Sequence, residues 1–213
     1  MGDRFTELSC EEFSDRLAAR ESTPGGGGAA ALVGALGTAL CSMAGAFTQG
    51  NPRCAEHEAD VAALMEEAED VRYRLLELVE EDADGFGPVL AAWRMPKDDP
   101  ARAEAIESAV EGACMAPLAM MGECCRAIVL LEQMGTMCSG QLISDVACGA
   151  LLVRAALECA SVNVYVNTSA LKDRYVAERI EGSVSELLDE YVPRAERLAL
   201  SVTDRIGGSV RHG

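Results

Sequence analysis

A handful of polar residues in this chain stand where chemistry could use them. Asp82 lies in Glu80-Glu81-Asp82-Ala83-Asp84, and Asp145 follows Ser144 at a predicted helix start. A carboxylate in a cleft can hold or deliver a proton. Each also has an ordinary reading: acidic runs are commonly solvated helix faces, and Asp145 suits first-turn placement against the helix macrodipole. Asn163 and Asn167 are spaced i, i+4 in Ser161-Val-Asn-Val-Tyr-Val-Asn167, so both amides leave an apolar helix on one side. Buried amides need partners, which are either neighbouring backbone or a ligand with matching donors and acceptors. Lysine occurs only at Lys97 and Lys172, each beside a loop at the end of a predicted helix. They either complement a helix C-terminus or meet an anion in an otherwise negative protein.

Spacing restricts how these residues combine. Asp145 and Asn163 are eighteen positions apart, which is five turns, so they share a helix face. On one straight helix they stand roughly 27 Å apart. They reach one reacting atom only if the helix breaks or a second subunit brings its copy across.

The stretch that must position them runs from Ser22 to Thr48, STPGGGGAAALVGALGTALCSMAGAFT. Thr23-Pro24 opens a loop of four glycines, Gly25, Gly26, Gly27 and Gly28, through which the backbone can approach a ligand closely. The uncharged run from Ala29 to Phe47 reads as a helix whose free N–H groups face that loop and favour an anionic or carbonyl-bearing ligand. Gly34, Thr38 and Ser42, with Ala31 and Ala35, give it a face that another helix can approach. Its length is near the ~20 residues of a membrane span. Its Gly, Thr and Ser content, and the acidic residues ahead of it where a basic flank would belong, favour burial in protein.

The remaining elements are helical. Ser9-Cys-Glu-Glu12 is a capping box that starts a helix to about Arg20, with Phe13 and Leu17 inward. Apolar positions at Val61, Leu64, Met65, Ala68, Val71, Leu75, Leu78 and Val79 mark a long amphipathic helix from about Cys54 to Asp84. Gly85, Gly87 and Pro88 interrupt it before it resumes through Trp93, which predicts a kink. A helix over 101–134 is expected to bend or break at Pro117, one over 144–171 follows a 135–140 connection, and one over 174–206 is interrupted at Pro193. From Gly207 a frayed tail is expected. The expected fold is all-α: one domain over 1–213, a bundle of long, partly kinked helices around a central small-residue helix, and dimeric.

Composition narrows the partners. The chain has 213 residues, 49% hydrophobic but only 4% aromatic, so small aliphatic side chains must fill the core. A net charge of −17 argues against nucleic acid or an anionic membrane surface. Nine cysteines, without a C-x-x-C pair, fit reduced thiols in a cytoplasmic protein. With histidine only at His57 and His212, no metal site is expected.

The glycine loop with its Ala-Ala-Leu-Val-Gly-Ala-Leu-Gly continuation resembles the signature of the formiminotransferase-cyclodeaminase C-terminal family, which includes methenyltetrahydrofolate cyclohydrolases. Further segments match in order: Glu81-Asp82, Gly85-Phe86, Ala91 to Lys97, Ala116-Pro117-Leu118, Ser144-Asp145-Val-Ala147, and Asn163 to Asn167 followed by Leu171-Lys172-Asp173. Gly85 stands where Ala is usual, the loop has a fourth glycine, and Cys138-Ser139-Gly140-Gln141 replaces a Gly-Asn turn. The resemblance implies an all-α homodimer that binds reduced folate, with or without a polyglutamate tail, as substrate and with no metal or redox cofactor. It implies formation or opening of 5,10-methenyltetrahydrofolate. Cyclodeamination of 5-formiminotetrahydrofolate, with loss of ammonia, is placed first and cyclohydrolysis second. In that picture Asp82 and Asp145 transfer protons or stabilise the methenyl cation. Thr23 and Gly25–Gly28 hold a folate carbonyl or carboxylate, Asn163 and Asn167 meet pterin or amide edges, and Lys97 or Lys172 meets the glutamate tail. The remaining alternatives are a folate-binding protein without turnover and a structural helical dimer.

Overall fold

The computed structural model describes residues 4–138, 140 and 142–211, with side chains as far as Ile206; Ser139, Gln141 and His212 lie outside the described residues. Every regular element among the described residues is helical: α1 (Cys10–Ala18), α2 (Gly26–Thr48), α3 (Glu58–Arg94), α4 (Arg102–Ala113), α5 (Met115–Met137), α6 (Ile143–Thr168) and α7 (Arg174–Arg211), with short 3-10 turns at Phe5–Glu7 and Pro52–His57. The expected all-α fold is the observed one.

The capping box forms as expected. Ser9 Oγ accepts the Glu12 N–H, and the Glu12 carboxylate accepts the Ser9 N–H at 2.8 Å. Phe13 is buried, but Leu17, expected inward, is 39% exposed: α1 ends at Ala18, and Phe13 is its only buried residue.

Helix α2 is the centre of the bundle, in contact with α3, α5 and α6. Small side chains decide this. Methyl groups added at Gly37 or Gly149 would come within 2.7–2.9 Å of the facing helix, since each Cβ position nearly touches the other glycine's carbonyl oxygen. The α2–α6 crossing is therefore set by two glycines as much as by the Gly34–Thr38–Ser42 face that the sequence suggests. Thr38 and Thr48 satisfy their buried hydroxyls by donating to the Gly34 and Ala44 carbonyls, 2.8 and 2.7 Å away. α2, and the run spanning α4 and α5, are long and apolar enough to cross a membrane by length and composition, with about half of each most apolar stretch buried inside the bundle.

The prolines expected to interrupt α3 and α7 do not break them. α3 passes through Gly85, Gly87 and Pro88 without interruption, and α7 passes through Pro193. Each proline deprives the carbonyl four residues earlier of its donor. Those carbonyls belong to exposed Asp84 and Asp189, where water can serve instead. The break expected at Pro117 falls three residues earlier, at Cys114, leaving Pro117 in the first turn of α5, where a missing N–H leaves no intrahelical bond unmade. α7 continues as helix past Gly207 to Arg211.

The core joins Val61, Leu64, Val71, Leu75, Leu78 and Val79 of α3 to Met120, Met121, Ile128 and Leu131 of α5 and Val153 and Leu157 of α6. Outside it, α2 leaves Leu36, Met43 and Phe47 exposed, and α6 leaves Leu151, Val162 and Val166 exposed. These two neighbouring helices thus carry open apolar stripes.

Candidate functional site

The acidic run around Asp82 divides by helix geometry into separate tasks. Glu80 accepts from the Thr6 N–H and hydroxyl and so fastens the N-terminal segment. Glu81 pairs with Arg74 one face round, and Asp84 is exposed. Asp82 alone turns inward, against the first turn of α2.

That first turn is where the glycines are. Gly25 is the N-cap, and Gly26, Gly27 and Gly28 are already helical, so the expected glycine loop is mostly the start of the helix itself. The reason for glycine is steric. A Cβ at Gly27 would lie 2.3 Å from Asp82 Oδ1 and 2.5 Å from its Cγ and Oδ2. Only a bare backbone lets the carboxylate come this near the free N–H groups of a helix terminus. Burial pushes the Asp82 carboxyl above the usual carboxylate range, and the Gly28 N–H pulls part of the way back. Burial is the larger effect, so this group holds its proton more tightly than a solvated aspartate.

Asp82 opens into a cleft of about 200 Å³. Ser22, Thr23, Gly25, Gly26 and Gly27 form its α2 side, Asp82 and Phe86 come from α3, and Asn163, Val166 and Asn167 come from α6. Ala113 closes it at the α4–α5 break. The Asn163 amide lies 3.7 Å from the Cβ position of Gly26, which brings α6 across to the glycine turn. Asn163 Nδ2 donates to the Cys159 carbonyl at 2.8 Å, and Asn167 Nδ2 donates to the Ala113 carbonyl at 2.9 Å. Backbone therefore takes one donor of each amide, as the more ordinary sequence reading allows. The Asn167 bond also satisfies a carbonyl left over where α4 ends.

The other expected residues lie elsewhere. Gly28 is behind the cleft, its Cβ position 3.6 Å from Pro24 and Val79. Asp145 starts α6, and because α6 is continuous from Ile143 to Thr168 it stands roughly 27 Å from Asn163. Within one protomer it cannot share a reacting atom with Asp82. Lys97 and Lys172 are exposed and do not line the cleft. Nor do they cap the helices they follow. Arg102 donates to the Trp93 and Met95 carbonyls at the end of α3, and Arg174 donates to the Thr168 carbonyl at the end of α6. Lys172 is held by its backbone N–H, which donates to Glu107.

Ser22, Phe86, Ala113 and Val166 line the cleft without being among the residues that the sequence singles out. Phe86 carries the one available signal, since it stands i+4 from Asp82 on the same helix.

The cysteines do not supply a nucleophile here. Cys41, Cys54, Cys114, Cys124 and Cys125 are buried, and burial pushes the Cys41 and Cys125 thiols up to about 12 and that of Cys114 to about 11. Cys10, Cys148 and Cys159 are exposed, and Cys138 is half-buried.

The family model for formiminotransferase-cyclodeaminase matches residues 9–186, which takes in every element of the cleft. The chain belongs to the formiminotransferase-cyclodeaminase family. It is 36% identical to the methenyltetrahydrofolate cyclohydrolase of Methylorubrum extorquens over 200 residues, covering 92% of this chain and 96% of that protein. It is 28% identical to the formimidoyltransferase-cyclodeaminase of Mus musculus over 188 residues, covering 86% of this chain and 35% of that protein. The chain thus spans about a third of the mouse protein's length. Its fold superposes on the crystal structure of formiminotetrahydrofolate cyclodeaminase from Thermotoga maritima with a TM-score of 0.81, at 26% identity, covering 96% and 98% of the two chains. The fold match thus takes in nearly all of both chains.

Proposed function

We propose that this member of the formiminotransferase-cyclodeaminase family is a folate one-carbon enzyme that forms or opens the 5,10-methenyl bridge of tetrahydrofolate. One observation carries the reading: a desolvated carboxyl, Asp82, stands at the bare N-terminal turn of α2 inside a cleft. Opening the bridge requires water to add to the methenyl carbon while a base takes one of its protons, after which the C–N5 bond breaks as the new hydroxyl gives up its proton to become the formyl carbonyl and N5 gains one. Closing the 10-formyl compound reverses these steps, with a proton delivered to the departing hydroxyl; closing the 5-formimino compound instead joins N10 to the carbon on N5, with N10 losing its proton and a proton delivered to the departing amino group. A carboxyl whose hold on its proton is strengthened by burial can do both. Its ionised form also favours the delocalised methenyl cation. Neither direction calls for a metal or redox cofactor.

Hydrolysis is favoured over deamination by the 36% identity along nearly the whole of both chains to a cyclohydrolase. Deamination, which the sequence reading places first, is supported by the fold match to a cyclodeaminase. The two differ in whether water or ammonia leaves as the ring closes.

The reading includes a homodimer in the cytoplasm. A cleft of about 200 Å³ is small beside the ~300–1,000 Å³ of sites for drug-sized ligands. Val166 lines the cleft and is also 63% exposed on the apolar stripe of α6. A second copy lying on that stripe would add wall to the site, and it offers a route by which Asp145 could approach a folate. Lys97 and Lys172, exposed and not used as helix caps, are assigned to the anionic glutamate tail.

The test is to mix purified protein with 5,10-methenyltetrahydrofolate and follow its absorbance, then to offer 5-formiminotetrahydrofolate and measure ammonia. A rate above the buffer blank in either assay is expected. No rate in both would refute the reading.

A further inference from the structure

The cleft contains one aromatic side chain, in a protein that is only 4% aromatic. Phe86 stands one turn after Asp82, so its ring sits about 5–6 Å further along the same face of α3. It meets Trp93 edge-to-face, with centroids 6.3 Å apart and planes at 85°. Phe86 also packs on a small satellite core of Val89, Val110, Leu171 and Ala177, which fixes its position independently of any ligand. The adjoining wall is the glycine turn, which carries no side chains of its own.

Accepting the folate reading above, we propose that Phe86 is the stacking face for the planar part of the substrate that adjoins the one-carbon bridge, with Trp93 holding the ring in place. The proximity of Phe86 to Asp82 demands this assignment: a bridge carbon within reach of the carboxyl brings the conjugated ring attached to it within reach of the next turn. The methenyl form is itself a planar cation, and aromatic faces attract such cations. Phe86 then contributes mainly to binding, and Asp82 mainly to chemistry.

Trp93 is the only tryptophan in the chain and is 48% exposed, so its emission reports on its neighbour. Titration of the wild type with 5-formyltetrahydrofolate, corrected for the folate's own absorbance, is expected to change Trp93 emission saturably. Phe86→Leu keeps an apolar side chain but removes the ring. It should weaken that binding, and raise KM for methenyltetrahydrofolate, by about tenfold, the scale of one aromatic contact. kcat should move far less, and Phe86→Tyr should recover most of the loss. If Phe86→Leu lowers only the melting temperature while KM and the titration stay as in the wild type, the ring is packing alone and the proposal is overturned. It is overturned equally if the Phe86→Tyr and Phe86→Leu variants behave alike. A wild type that neither binds nor turns over any of these folates would overturn the functional reading, and this inference with it.

Discussion

Gly27→Ala isolates the contact on which the proposed chemistry depends. The added methyl would lie 2.3 Å from Asp82 Oδ1, whereas ordinary contact begins at 3.4 Å. The carboxylate must therefore withdraw by about 1 Å, a misplacement that can lower turnover by ~10²-fold. Fold stability should not follow. Alanine in a helical turn is favoured over glycine by roughly 0.5–1 kcal/mol, and the displaced side chain can swing into the cleft. Gly28→Ala is the control, because its methyl would meet Pro24 and Val79 at 3.6 Å, which is ordinary contact. It gains the same helix propensity without touching the carboxylate, so its loss of rate should be far smaller. The assay is the initial rate of methenyltetrahydrofolate loss, with the melting temperature measured in parallel. A double-mutant cycle with Asp82→Asn sharpens it. If Gly27→Ala acts through Asp82, the double variant loses nothing beyond Asp82→Asn alone. A folded Gly27→Ala protein with kcat/KM within about threefold of wild type would refute the placement of Asp82 as the proton-transfer group.

Other consequences can be checked more briefly. Asp82→Asn should lower turnover by ~10²–10⁴-fold, leaving a rate that can still be measured, yet leave the protein at least as stable at neutral pH. Because burial raises the Asp82 pKa, the folded state prefers the proton. The wild type therefore loses stability as pH rises above the carboxylate's ordinary value of 3.8, and the gap between variant and wild type should open over that rise and close below it. A gap that widens toward acid would contradict the argument. Gly37→Ala should destabilise by ~1–3 kcal/mol, at about 2–4 °C of melting temperature per kcal/mol, because its methyl would meet the Gly149 carbonyl at 2.9 Å. Gly45→Ala should cost less, since the atoms in its way belong to the flexible Met65 and Met134 side chains rather than to backbone. Val162→Glu, on the open stripe of α6, should yield a monomer by sedimentation and reduce activity with it. An active monomer would remove the second copy from the proposed site.

Much of this architecture can be read locally, because it depends on local chemistry. Ser9 and Glu12 satisfy each other's backbone within one turn, and Val61 to Val79 recur at helical spacing, so both survive in the fold. The prolines mislead as signs of a helix break because that effect depends on solvent at the carbonyl they orphan, and exposure is not a property of the residue itself. Asp82 can be named as a candidate from its surroundings, but its inward turn depends on α2 lying alongside α3. Asn167 finds its partner at Ala113, 54 residues away in sequence, at a helix break that the pattern places three residues too late. The four glycines announce a close approach in the sequence. What approaches most closely is the protein's own carboxylate, which no spacing rule reveals.

The two glycine-dependent contacts of α2 are mechanically linked. At its N-terminus Gly27 admits Asp82; nearly three turns on, Gly37 admits Gly149 and so fixes how closely α6 lies. α6 is one unbroken helix, so the approach at Gly149 is carried to Asn163, about 21 Å along the same rod. Asn163 is the residue that faces Gly26 across the cleft. A methyl at Gly37 therefore does more than overpack the core: by levering α6 outward it should widen the cleft at Asn163 and Asn167 and weaken substrate binding. A change that destabilises α2 elsewhere, as at Gly45, has no such lever. Measured against equal losses of melting temperature, KM should rise for Gly37→Ala and stay put for Gly45→Ala. Equal KM values for the two would mean that the cleft is set by its local contacts alone and that the helix crossing plays no part in it.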